Sequence, residues 1–152
     1  MERIASFEVN HLVLQKGMYI SRIDGDIVTY DIRMCKPNSG TYLENAALHT
    51  FEHLFATHAR NSLLSANVVY IGPMGCRTGF YLLVRGITHA QAIALVQEAF
   101  EFIREYEGTI PGATEIECGN YRDHDLAGAR RCAADMCAVL DGYTEQRLHY
   151  TE

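Results

Sequence analysis

The stretch YISRIDGDIVTYDIRMC, residues 19–35, alternates isoleucine and tyrosine with polar side chains, and its centre reads Asp24-Gly25-Asp26. Alternation at period two marks a half-buried strand, and Asp-Gly between two such runs is a strong local signal for a hairpin turn. The spacing therefore predicts two antiparallel strands. Downstream, ANVVYIGP (66–73) and TGFYLLVRG (78–86) are β-branched and aromatic runs punctuated by GPMGCRTG (72–79), so a second strand pair with a glycine-rich connection is expected there.

Helical patterns lie between and after these pairs. LHTFEHLFATHARN (48–61) is predicted to be helical with Asn45 as its N-cap. THAQAIALVQEAFEFIREYEG (88–108) is the clearest helix: Thr88 and Gln91 form a capping-box signature, apolar residues recur at helical spacing, and Gly108 follows its end. LAGARRCAADMCAVLDG (126–142) is a last helix ending at Gly142, reached through a loop or short strand, TIPGATEIECGNYRDHD (109–125). The order of strands, helix, strands, helix, loop, helix implies an α+β fold, an antiparallel sheet with helices packed on one face.

The chain has 152 residues, 48% hydrophobic and 21% charged, which suits one globular domain spanning 1–152. A formal net charge of −6, without any Lys/Arg cluster, argues against a nucleic-acid surface. No apolar run approaches the roughly 18 residues of a membrane helix. Charges at Glu2, Arg3 and Glu8 are unlike a signal peptide. Five cysteines, odd in number and irregularly spaced, fit free or metal-bound thiols in a reducing cytoplasm better than disulfides.

Within 48–61, His49 and His53 stand four apart with Glu52 immediately before the second. On a helix the two imidazoles share one face, one turn apart, and can grip one metal ion. H-x-x-E-H also occurs in inverted zinc peptidases, where the glutamate is the general base. The same residues also suit an amphipathic helix that happens to carry two histidines. A catalytic metal usually keeps three protein ligands and one open position, so a third donor is needed. Cys118, before a glycine in ECGNYRDH, is the best candidate, although a lone cysteine is more often a small buried residue. Cys35, Cys132 and Cys137 are expected in the core, and His58, His89 and His149 have no partner pattern. Cys76 lies in GPMGCRTGF, where Gly72, Pro73, Gly75 and Gly79 leave little bulk around its thiol. It is either an acid, base or nucleophile beside Arg77 and a metal, or an incidental residue of a tight hairpin.

Taken together, ALHTFEHLFAT (47–57), PMGCRTGFYL (73–82) and ECGNYRDHDL (117–126) resemble the S-ribosylhomocysteine lyases, bacterial enzymes that make the precursor of the autoinducer-2 quorum-sensing signal. SFEVNH (6–11) and TYDIRMCKPN (29–38) fit the same family, so the resemblance runs in order from about residue 6 to 126. It implies His49, His53 and Cys118 as ligands of one divalent metal per subunit, ferrous iron foremost, with zinc or cobalt able to substitute. It implies Glu52 and Cys76 as the two acid/base residues and Arg33 as an arginine near the catalytic thiol. Ser6 and His11 are implied to reach the substrate from the other subunit of a homodimer, and Arg60 and Ile71 to contribute to substrate binding. The implied reaction converts S-ribosylhomocysteine to homocysteine and 4,5-dihydroxy-2,3-pentanedione. One departure stands out: the family commonly reads Asp-Ile-Ser before PMGC, and this chain reads Tyr70-Ile71-Gly72.

Two other readings remain, a small H-x-x-E-H metallopeptidase and a non-catalytic metal-binding module. The Cys76 loop has no role in the first. The second needs a fourth ligand near Cys118, for which His124 is the only local candidate; His124 is expected instead to line the pocket or stand behind the ligands.

Overall fold

The structure, a computed structural model, describes residues 1–151. Four strands form one antiparallel sheet in the order β1-β2-β4-β3: β1 (Gly17–Asp24), β2 (Ile27–Arg33), β3 (Val68–Pro73) and β4 (Gly79–Arg85). Three α-helices accompany it, α1 (Asn45–Asn61), α2 (His89–Glu105) and α3 (Leu126–Leu140). The α+β expectation and the order of elements both hold. The β1–β2 hairpin closes at the expected place, with Asp24 paired to Ile27 across Gly25 and Asp26. Gly25 takes φ +62°, the left-handed region that glycine enters without a side-chain clash.

Side chains alternate across the sheet as a pleated strand requires. Met18, Tyr30, Ile32, Phe80, Leu82 and Val84 are nearly inaccessible and form one core with residues of all three helices. At its centre Phe51 of α1 meets Phe80 of β4 at 5.2 Å and Phe100 of α2 at 4.9 Å, while Phe55 meets Phe100 at 5.2 Å, mostly edge to face. These contacts hold α1 against the sheet.

Helix α2 is capped as its sequence predicts: Gln91 N donates to Thr88 Oγ1, and Thr88 N donates back to Gln91 Oε1. The start of α1 corrects the expectation. Glu44, with extended backbone and no side-chain cap, occupies the N-cap, and Asn45 is already helical. Cys35 is buried, as expected, whereas Cys132 and Cys137 are only half-buried at the core's edge. Residues 109–125 form a loop without a strand. Among the described residues no helix is long and apolar enough to cross a membrane.

Phe51 packs against Phe55, Phe80 and Phe100, and its truncation leaves a cavity among three rings. Phe51→Ala is expected to cost about 3–5 kcal/mol of stability. Urea unfolding should show it as a lower midpoint with an unchanged slope.

Candidate metal centre

Helix α1 buries Ala47, Phe51, Leu54 and Phe55, so its flank carries His49, Glu52 and His53, all half-buried. The His49 and His53 rings stand 4.7 Å apart at 88°. Two carbonyls of the α2–α3 loop orient them. His49 Nδ1 donates to the Asp123 carbonyl at 2.7 Å, and His53 Nδ1 donates to the Pro111 carbonyl at 2.8 Å. A carbonyl can only accept, so each Nδ1 carries its proton and each Nε2 keeps its lone pair for a metal. Gly112, at φ +72°, lets the loop turn beside His53, where an added Cβ would lie 3.2 Å from Nδ1.

The same loop delivers the third donor. Cys118 N donates to the Thr114 carbonyl, and the resulting turn brings Cys118 Sγ to 3.4 Å from His49 Nε2 and 3.9 Å from His53 Nε2. A nitrogen and a sulfur bound to one tetrahedral ion would sit about 3.5 Å apart, from bond lengths near 2.0 and 2.3 Å. The donor set and its spacing therefore fit one divalent metal.

His124 joins this group: ligating atoms of His49, His53, Cys118 and His124 all lie within 4.8 Å of one another. Its ring stacks on that of His49 at 4.0 Å, and its Nδ1 meets Thr50 Oγ1 at 2.9 Å. Burial, followed by the charges of His49 and His53, holds its pKa below the ordinary histidine value.

Cys76 is exposed in the β3–β4 connection, and its Sγ meets Thr78 Oγ1 at 3.0 Å. Arg33 Nη1 donates to that same hydroxyl at 2.9 Å, so Arg33 and Cys76 are joined through Thr78, a residue the sequence did not single out. Arg60 donates to the Val68 and Val69 carbonyls at 3.2 and 3.1 Å, which ties the end of α1 to β3. Ile71 is buried in β3. Ser6 and His11 lie in the N-terminal arm; His11 Nδ1 meets the Val9 carbonyl, and no hydrogen bond joins either residue to the cluster among the described residues. A cavity of about 430 Å³ between the start of α1 and α3, lined by Lys16, Leu43 and Arg131 among others, includes none of the four clustered residues.

Residues 4–146 match the family described as S-Ribosylhomocysteinase (LuxS). The chain belongs to the S-ribosylhomocysteinase family. A curated relative from Clostridium acetobutylicum, named S-ribosylhomocysteine lyase, is 48% identical over the whole of both chains. Relatives of the same name from Clostridium beijerinckii and Desulfotalea psychrophila are 46% and 44% identical, over 99% of each chain. Membership of the S-ribosylhomocysteinase family thus covers the metal cluster, the Cys76 loop and the sheet between them.

Loss of any one donor leaves a site of two. Cys118→Ala is expected to lose most of its bound metal, read by elemental analysis after gel filtration, while far-ultraviolet circular dichroism stays unchanged.

Proposed function

We propose that the chain splits S-ribosylhomocysteine into homocysteine and 4,5-dihydroxy-2,3-pentanedione, the precursor of autoinducer-2. The observation that carries this reading is the convergence of His49 Nε2, His53 Nε2 and Cys118 Sγ in a member of a family whose relatives bear the lyase's name. His49, His53 and Cys118 hold the metal, ferrous iron by preference, with zinc or cobalt able to replace it. Bound there, a divalent ion supplies Lewis acidity toward sugar oxygens, worth several kcal/mol.

The chain's own residues move the protons. Carrying the sugar carbonyl from its first carbon to the second and then the third requires a proton to leave one carbon and return to its neighbour each time. Glu52, beside the ligands on α1, and Cys76, on the β3–β4 connection, take these two parts. Once the carbonyl reaches the third carbon, removal of the proton from the fourth expels homocysteine as a thiolate from the fifth. Arg33, tied to Cys76 through Thr78, stabilises negative charge on the sulfur.

Substrate binding falls to residues around this track. Arg60 and Ile71 set the position of β3, and Tyr70 replaces the acidic side chain common in the family. Its ring lies over Gly72, where an added Cβ would come within 2.5 Å of it. Contacts to the substrate there differ from those an aspartate would make. Ser6 and His11 complete the site of a second copy in a homodimer. The apolar side chains beside them support this: Phe7 and Leu12 are 63% and 83% exposed on one copy alone. The five cysteines, all free, suit a cytoplasmic setting.

Anaerobic purification, metal analysis and a thiol-release assay with S-ribosylhomocysteine test the reading directly. Glu52→Gln and Cys76→Ala should each keep the metal and lose at least about 10²-fold in rate, the usual weight of a general acid or base. The two should stall at different migrations, seen as distinct ketone intermediates by carbon NMR. Metal-replete Cys76→Ala that releases homocysteine at the normal rate would refute the assignment. For the homodimer, sedimentation at micromolar concentration should give twice the chain mass; a fully active monomer would exclude the role of Ser6 and His11.

A further inference from the structure

His124 Nε2 is the one buried side-chain nitrogen or oxygen without a hydrogen-bond partner among the described residues. Leaving such a group unpaired is costly, so it calls for an occupant of the site it borders. What it offers that occupant is set by its other nitrogen. Thr50, fully buried on α1, accepts at Oγ1 from the Asp125 backbone N–H at 2.9 Å. The hydroxyl's own proton has one acceptor within reach, His124 Nδ1 at 2.9 Å. Thr50 therefore donates to Nδ1, and the neutral ring carries its proton on Nε2. This is opposite to His49 and His53, whose Nδ1 atoms are donors to carbonyls. Stacking on His49 at 4.0 Å fixes the ring's plane beside a metal ligand.

We propose that His124, placed in the cluster yet carrying its proton on Nε2, the nitrogen that Thr50 leaves free, is a catalytic hydrogen-bond donor and not a fourth ligand: its Nε2–H binds the sugar oxygen that gathers negative charge as the carbonyl migrates. The identity of that oxygen rests on the lyase reading above; the tautomer does not. A preorganised donor aimed at developing charge is typically worth about 10²–10³ in rate.

The zinc-loaded protein, labelled with ¹⁵N-histidine, gives the tautomer by long-range proton–nitrogen correlation, with His124→Ala as the assignment control. His124 should show a protonated Nε2 and a bare Nδ1. A metal-shifted Nε2 with the proton on Nδ1 would make it a ligand and overturn the proposal. His124→Ala should keep one zinc per chain and a KM within a few-fold of normal, with kcat lowered about 10²-fold. His124→Gln, which restores an N–H, should recover at least about tenfold of that loss. Loss of zinc from His124→Ala, or an undiminished kcat, would each overturn the donor role. An unmodified protein that releases no homocysteine would overturn the lyase reading instead, and the tautomer would still decide whether His124 is a donor.

Discussion

Two backbone carbonyls, of Pro111 and Asp123, decide what the histidines of α1 can do. Each accepts the Nδ1 proton of one ring and so frees the opposite nitrogen for a metal. Carbonyls serve this purpose better than carboxylates here. They bring no charge to a half-buried site, and a neutral carbonyl oxygen competes for the ion less strongly than a carboxylate does. The cost is that a loop must be held in place to present them. That work is shared by Gly112 in its left-handed turn and by Asp125, whose side chain caps α3 by accepting from Gly128 N. Thr50, accepting from Asp125 N, ties the same loop to α1.

Helix α1 thus belongs to two assemblies at once. Its Phe51 and Phe55 lock into rings from β4 and α2, and its opposite flank meets the α2–α3 loop. Because interiors are close-packed, the helix cannot turn about its axis without opening the core. The histidines therefore keep their direction through the hydrophobic packing of residues two positions away. Metal binding then needs little rearrangement, since the donors already sit near the separations an ion requires.

Much of this was legible in the sequence, and the remainder was hidden for identifiable reasons. The Asp-Gly hairpin and the Thr88–Gln91 box were readable because the signal and the structure it specifies are only a few residues apart. Asn45 misled because its neighbour Glu44 takes the extended N-cap position instead, a choice made by the chain's path from Leu43, whose N–H bonds the Arg77 carbonyl. That His49, His53 and Cys118 would come together was legible through spacing and family motifs together. The orienting carbonyls were not, because any residue supplies one and no side chain announces it. His124 was noticed as a possible fourth donor and expected to line the pocket or stand behind the ligands, but what its ring offers stayed hidden, since that depends on Thr50, 74 positions away.

The second face of the sheet carries a different constraint. Asp31 and Arg33 alternate outward from the core strand positions yet are 1% and 3% exposed, paired at 2.6 Å, with Tyr150 donating to the same carboxylate. Burial alone would weaken the charge on Arg33; the hydrogen bond and charge of Asp31 outweigh it and leave its pKa above the ordinary arginine value. A buried ion pair seldom adds stability over apolar packing, although breaking one costs about 3–5 kcal/mol. Its value here is positional. Arg33 stands opposite Gly17 on β1 and Gly79 on β4, neighbours that leave its side chain free to extend over the face. Gly79 admits no larger residue, since a Cβ there would fall 2.0 Å from the Ile32 carbonyl oxygen. Two of the Arg33 donors are taken up by Asp31, and Nη1 is left for Thr78. The Thr78 hydroxyl therefore has a fixed place from which to meet Cys76, and an exposed thiol on a short connection is steered by a charge pair anchored in the sheet.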